Sequence, residues 1–136
     1  MAMTIAQIRK YTPFNRRVSS KIVKIVEIKV KKNIDGYPLI LAKTISTETP
    51  KGEAKNLKTA PHYVTSIELY PKKQVIVSCS CDDWLFTYEV ACNKKGAARI
   101  EYSNGENPGT RNPAMTPGCC KHLYALSTKL ISEGKL

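Results

Sequence analysis

The sequence contains five cysteines and two histidines, and four of these seven residues form two closely spaced pairs. One pair is Cys79 and Cys81 and the other is Cys120 and His122, each with a single residue in between. In an extended segment, side chains two residues apart point to the same side, so the two thiols of the first pair converge. A disulfide between residues this close is strained, whereas two thiolates readily share one cation. Because structural zinc sites use four sulfur and imidazole ligands, in sets such as Cys₃His, these residues predict a zinc site.

The sequence does not decide which of two adjacent cysteines, Cys119 or Cys120, is the third thiolate ligand. Two residues separate Cys119 from His122, which is also a known ligand spacing, so the spacing favours Cys120 without excluding Cys119. Cys92 shares a predicted helix face with aromatic residues, and we expect a buried thiol there. An odd number of cysteines and no sign of secretion argue against a disulfide framework, while pairing of Cys92 with Cys119 on oxidation stays open. His62 stands alone at a predicted strand start and is not expected to bind metal.

Hydrophobic periodicity predicts an α+β fold in which about four antiparallel strands pack with two helices. Residues 21–32 are rich in β-branched side chains and predict a half-buried strand, with apolar and charged residues alternating over 26–30. The adjacent apolar pairs at 22–23 and 25–26 break the alternation and indicate a bulge or a more buried start. Asp35-Gly36 is a hairpin turn signal before the returning strand "YPLILAKTIS", and two more strands cover 62–70 and 74–81. The zinc site would then brace the junction between the second hairpin and the last helix.

Both helices are predicted in the second half of the chain. The first covers 82–95, where Asp82 or Asp83 is the expected N-terminal cap. A loop rich in glycine and proline follows over 103–118. The second helix runs from about Gly118 to Glu133, and Gly134 is a natural stop. Its apolar stripe contains Leu123, Leu126, Leu130 and Ile131.

The composition is typical of one compact unit with two unlike parts. A chain of 136 residues with 42% apolar content can form one domain with a modest core. Residues 1–61 hold a basic arm, a hairpin and a polar loop at 47–61, and residues 62–136 hold the predicted zinc module.

No apolar run approaches the roughly 20 residues of a membrane span, and the first residues lack a secretory h-region. We therefore expect no membrane contact and an intracellular protein, made by a cell or by a virus inside one.

Most of the net charge of +11 lies in the N-terminal half of the sequence. Residues 1–73 hold 15 Lys and Arg against 5 Asp and Glu, a net charge of +10. Such a surface favours polyanions, which are nucleic acid, acidic protein patches or anionic lipid. Tyr11 and Phe14 lie among the first basic residues and could stack on bases, or they could simply pack on the sheet. The predicted nucleic-acid contacts are Arg9, Lys10, Arg16, Arg17 and Lys21.

The cysteine pattern resembles the SWIM zinc finger. In that family, Cys-x-Cys on a hairpin is followed by a spacer and by Cys-x-His at the start of a helix, as in "CSC" and "CKHLYAL" here. The resemblance covers residues 62–131 and implies Cys79, Cys81, Cys120 and His122 as the zinc ligands, with a spacer of 38 residues, longer than in most members. The segment "YSNGENPGTRNPAMTPGCCKH" is similar to small SWIM-like proteins of large tailed phages. That similarity implies a viral protein, found in the host cytoplasm or in the virion.

These features favour a binding protein over an enzyme. A Cys₃His site leaves no open coordination position for water. The sequence also lacks the His-x-Glu and Cys-x-x-Cys pair of zinc deaminases, a Walker loop and a convincing Ser/His/Asp set. We expect a structural component of a phage particle or assembly, which binds other protein subunits, nucleic acid or both. The alternative is a separate DNA- or RNA-binding zinc finger in nucleic-acid metabolism or regulation, as SWIM members are associated with DNA and protein binding.

Overall fold

The computed structural model describes residues 2–48, 52–56 and 58–136, and within them five strands form one antiparallel sheet. The order across the sheet is β1-β5-β4-β3-β2, so β1 and β2 are its edges. The strands are β1 (Met3–Thr4), β2 (Val23–Lys32), β3 (Pro38–Ser46), β4 (Tyr63–Leu69) and β5 (Gln74–Cys79). The sheet takes strands from both predicted parts of the chain, and the division at residue 61 stays a prediction.

In the part of the chain that the structure describes, four α-helices and three short helical turns accompany the sheet. The α-helices are α1 (Ile5–Lys10), α2 (Phe14–Ser19), α3 (Glu89–Lys94) and α4 (Lys121–Ser132). A π-helical turn, Trp84–Tyr88, runs directly into α3, and 3-10 turns occupy Ser20–Ile22 and Pro71–Lys73. The predicted α+β class with an antiparallel sheet is confirmed, with β1, α1 and α2 as elements the sequence did not reveal. No helix in the described ranges is long and apolar enough to cross a membrane.

The predicted bulge lies in β2. Ile25 pairs with Thr44 and Glu27 pairs with Lys43, so Val26 is the extra residue in the ladder. The bulge lets Ile25 and Ile28, three residues apart, pack on the same core. The residues that alternate with them, Glu27 among them, therefore lie on the opposite face of the sheet.

The N-terminal segment folds against the rest of the chain. Thr4 caps α1 with its hydroxyl, which accepts from the Gln7 N–H at 3.2 Å, while the Gln7 side chain accepts from the Thr4 N–H at 2.9 Å. Arg9 then holds α1 on α4, because its guanidinium lies 4.0 Å from the centre of the Tyr124 ring. Tyr11 and Phe14 are exposed over 52% and 80% of their surfaces, so neither belongs to the core. Stacking on bases and packing on the sheet both stay predictions for these two aromatics.

The hydrophobic core lies between the sheet and the helices, and α4 supplies much of it. Leu123, Leu126 and Leu130 are fully buried, as predicted, whereas Ile131 is 41% exposed and lies outside the stripe. The helix begins at Lys121, three residues later than expected, because Cys120 keeps an extended conformation and acts as the N-cap. It ends one residue before the predicted Glu133. The predicted loop 47–61 falls partly outside the described residues.

Candidate metal centre

The two predicted residue pairs meet where the sheet touches the start of α4. The potential ligand atoms of Cys79, Cys81, Cys120 and His122 all lie within 4.8 Å of one another. Cys79 ends β5, Cys81 follows two residues later, and the other two residues flank the first position of α4. All four side chains are buried. Three thiols and one imidazole at these distances form a cluster that can hold a metal ion.

Each sulfur has a polar group beside it that orients it. The Thr65 hydroxyl lies 3.4 Å from Cys79 Sγ. The Trp84 N–H donates to Cys81 Sγ at 3.4 Å, and the Leu123 N–H donates to Cys120 Sγ at 3.5 Å. Donors aimed at sulfur stabilise the thiolate form, which is the form that binds metal. The two N–H donors come from helical turns, so the local backbone fixes both thiols.

The imidazole of His122 has one ring nitrogen with a partner and one without. Nε2 lies 3.5 Å from the Ser46 hydroxyl, and the ring packs on Tyr63 with a centroid separation of 4.8 Å. Nδ1 is buried and has no hydrogen-bond partner among the described residues. A buried polar atom left this way costs about 1–3 kcal/mol. A metal ion at Nδ1 would remove that cost, with Ser46 holding the ring from behind.

The thiols of the cluster influence one another's protonation. Burial acts to raise the pKa of Cys79, but hydrogen bonds from Cys120, Cys81 and Thr65 outweigh it and hold that pKa well below its usual value. At Cys120, burial and the neighbouring Cys79 and Cys81 sulfurs raise the pKa well above the usual value. One thiolate therefore forms easily at the expense of its neighbour. A divalent cation would remove this competition, because it stabilises several thiolates at once.

The remaining cysteines lie outside the cluster. Cys119 is fully buried and its N–H donates to the Thr12 hydroxyl at 2.9 Å, on the other side of the chain from Cys120. Burial raises the pKa of Cys119 to about 12, and burial also raises that of Cys92 to about 12. Both are protonated thiols in an apolar setting, as expected for Cys92. His62 is exposed at the surface, away from the four clustered residues.

The π-helical turn Trp84–Tyr88 is the part of the site that sequence reasoning missed. It begins three residues after Cys81, and the Leu85 N–H donates to the Cys81 carbonyl at 3.1 Å. Such turns are rare and recur at functional sites. Asp83, a predicted helix cap, pairs instead with Arg16 through a contact of 2.7 Å. No periodicity in the sequence distinguishes a π-turn from an α-helix, so only the structure reveals it.

The arginines predicted to bind nucleic acid are committed to internal contacts. Arg9 donates to the Tyr124 carbonyl at 3.2 Å and to the Thr128 hydroxyl at 2.9 Å. Arg16 makes two hydrogen bonds with the Asp83 carboxylate, at 2.7 and 3.1 Å, and the Asp83 carboxylate holds the Arg16 pKa above its usual value. Arg17 donates to carbonyl groups at the end of α1, at 2.9 and 3.0 Å. Lys10 and Lys21 are exposed.

A second basic surface lies on the sheet face opposite the core. We call it the lysine face, and it consists of Lys24, Lys29, Lys31 and Lys43. One carboxylate, Glu27, lies among them, 3.4 Å from the Lys29 amine and 3.5 Å from the Lys43 amine. Leu41 and Val64 line a shallow groove of about 180 Å³ between these lysines. The alternation of charge along β2 was the sequence signal for this surface.

No protein-family model, no curated protein and no solved structure matches the chain. The resemblance to the SWIM finger and to phage proteins therefore depends on the quoted motifs alone.

Proposed function

We propose that the cluster of Cys79, Cys81, Cys120 and His122 binds one zinc ion. The observation that carries this proposal is that three buried thiols and the His122 imidazole place their ligand atoms within 4.8 Å of one another, while the buried Nδ1 of that imidazole has no hydrogen-bond partner among the described residues. Zinc is the metal that prefers a tetrahedral set of three sulfurs and one imidazole nitrogen, whereas calcium and magnesium prefer oxygen. The orienting groups at each sulfur and at Nε2 supply the second layer of contacts that such sites use.

The zinc would act as a structural brace, and the protein would not be an enzyme. Four protein ligands fill the tetrahedral shell, so no position is left at which water could be activated. The ligands tie the end of β5 to the beginning of α4. Structural zinc sites supply on the order of 10 kcal/mol, which is comparable to the whole stability of a small domain.

Elemental analysis of the purified protein tests this proposal directly. We expect about one zinc per chain, the stoichiometry of a single four-ligand site. His122→Ala should lose the metal, because it removes one of the four ligands. His62→Ala is the matched control, since this exposed histidine lies outside the cluster, and it should keep the metal. Full zinc content in the His122 variant would contradict the assignment.

We further propose that the lysine face binds nucleic acid. Its four lysines are exposed, and Glu27 pairs with two of them. The three arginines of the N-terminal segment instead use their donors in contacts within the protein. Exposed lysines on a strand surface suit phosphate contacts that do not read base sequence. As a component of a particle or assembly, the protein would use this face on packaged nucleic acid and its remaining surface on neighbouring subunits. A separate zinc-finger protein in nucleic-acid metabolism would use the same face.

Binding to random duplex and single-stranded DNA at two salt concentrations tests the lysine face. Replacing Lys29, Lys31 and Lys43 by Ala should reduce the slope of log K against log salt by about 2–3, since each phosphate contact contributes about 0.9 to the slope on duplex DNA. A variant with Ala at Lys94, Lys129 and Lys135, which are exposed elsewhere, has the same net charge and should keep most of the slope. Absence of binding at low salt would refute this function. Copurification with intact particles would then support the assembly role.

A further inference from the structure

A cleft of about 470 Å³ opens directly beside the metal cluster. Cys81 and His122 form part of its wall, and Ser46 and Tyr63 line it from the sheet. Its volume lies within the range of about 300–1,000 Å³ that is typical of small-molecule sites. The other two residues of the cluster, Cys79 and Cys120, are not among the residues that line the cleft.

Two lysines from different parts of the chain converge on the cleft. Lys121 is the first residue of α4, and Lys55 comes from the segment between β3 and β4. Both side chains are half-buried rather than extended into solvent. The backbone fixes Lys55 in place, because its N–H donates to the Thr47 carbonyl at 2.9 Å and Glu48 pairs with Ala54 across the same segment. Two positive charges held at one cleft repel each other unless an anion lies between them.

The carboxylates at the cleft do not neutralise these lysines on their own. Asp83 is paired with Arg16 by two hydrogen bonds, so this pair adds no net charge. Asp82 also lines the cleft, but its side chain belongs to an exposed residue at the rim. The two lysines and Asp82 sum to +1, and a zinc ion held by three thiolates would add −1 where the cluster borders the cleft. The cations available to a ligand are therefore the two ammonium groups, accompanied by hydroxyl donors from Ser46 and Ser19.

We propose that this cleft binds the phosphate monoester group of a nucleotide-sized ligand. A phosphate monoester carries a charge close to −2 at neutral pH and offers three acceptor oxygens. Lysine binds phosphate as a point charge, and two ammonium groups with nearby hydroxyls can surround such a group from several sides. The site goes beyond the function proposed above, because neither the zinc brace nor the lysine face requires it. The phosphate could be that of a free mononucleotide or the 5′-phosphate end of a nucleic-acid strand.

Calorimetric titration of the purified, zinc-containing protein with inorganic phosphate and then with AMP tests the site. We expect saturable binding of one AMP per chain and weaker binding of inorganic phosphate. Lys55→Ala and Lys121→Gln should each weaken AMP binding about tenfold, the usual effect of losing one hydrogen bond to a charged group. Asp82→Asn should strengthen it about threefold, because it removes a like charge from the rim. Lys94→Ala, which removes one positive charge as each test variant does, is the charge-matched control and should leave AMP binding unchanged.

A comparison of oligonucleotides separates the two sources of the phosphate. A 5′-phosphorylated pentanucleotide that binds more tightly than both AMP and its 5′-hydroxyl counterpart would assign the strand end as the ligand. AMP that binds more tightly than the phosphorylated strand would assign the free nucleotide. Zinc content measured on every variant separates loss of the cleft from loss of the metal. Failure of AMP to saturate the wild type, or equal weakening by the control and the Lys55 variant, would overturn the proposal.

Discussion

Adjacent cysteines at the start of α4 have different surroundings because side chains alternate along an extended chain. Cys120 joins the metal cluster, whereas the neighbouring Cys119 lies near Thr12 and the Gly118–Cys92 contact. Sequence spacing alone allowed either thiol as a ligand, since both stand close to His122. The extended conformation at residue 120, with φ −67° and ψ 168°, determines which of the two points towards Cys79 and Cys81.

This difference predicts opposite outcomes for two serine substitutions. Cys120→Ser should lose the zinc, because a serine hydroxyl does not ionise at neutral pH and is a poor zinc ligand. Cys119→Ser should keep one zinc per chain and lose only about 1–2 kcal/mol of stability, because it buries a hydroxyl in an apolar setting. Elemental analysis and thermal unfolding of both variants measure the two effects. Equal metal loss in both variants would contradict the choice of Cys120.

Elements with a strong hydrophobic period were the ones the sequence could predict. Strands β2 to β5 and helix α4 each have five or more residues in a regular pattern, so their apolar side identifies their type. Strand β1 has two residues and helices α1 and α2 have six each, which is too short for a period to stand out. Contacts with distant residues hold these short elements, as Arg9 does where it crosses from α1 to Tyr124. The sequence contains no local signal for such contacts.

Helix α3 fixes a neighbouring loop through a buried carboxylate that sequence reasoning also missed. Glu89 is fully buried, and its side chain accepts from the N–H groups of Glu101, Tyr102 and Ser103 at 2.8 to 3.1 Å. An ionised carboxylate can accept several N–H donors at once. Three backbone N–H groups of the loop are therefore hydrogen-bond partners of this buried carboxylate.

Glu89→Gln should destabilise the protein without changing its metal content. The amide keeps one acceptor oxygen but places an NH₂ group against backbone donors, which should cost about 2–3 kcal/mol. For a domain of this size each kcal/mol lowers the melting temperature by about 3–5 °C, so a fall of about 6–15 °C is expected. Glu106→Gln, a substitution at an exposed residue of the same loop, is the control. A melting temperature equal to that of the control would show that Glu89 contributes little.

At the scale of the whole molecule, the sequence shows where the basic residues lie along the chain but not which contacts they make. The excess of basic residues in the first 73 positions can be counted directly from the sequence. The contact of Arg16 with Asp83, 67 residues away, cannot be read from it. Arg9 reaches a carbonyl 115 residues away. The ligand pairs could be predicted because each is local and has a distinctive chemistry. The hydrogen-bond partners of the arginines are distant in the sequence and become neighbours only in the fold, so they could not be predicted in the same way.

Removal of the metal should affect the whole molecule. The four ligands hold together two ends of a 38-residue segment that includes the π-turn, α3 and the glycine-rich loop, and Cys79 and Cys120 also belong to the main core. Closing so long a segment costs entropy that the metal bonds offset. With on the order of 10 kcal/mol at stake against a total of about 5–15, a chelator strong enough to extract zinc should unfold the chain at room temperature.

Circular dichroism and thermal melting before and after chelation measure this effect. Added Zn²⁺ should restore the spectrum and a cooperative melt, whereas Mg²⁺ should not, because it prefers oxygen ligands. The His62→Ala variant should behave like the wild type in every step, since His62 is not a member of the cluster. An unchanged melting temperature after complete removal of the metal would show that the fold is stable without zinc. The core contacts of Leu123, Leu126 and Leu130 would then account for the position of α4 by themselves.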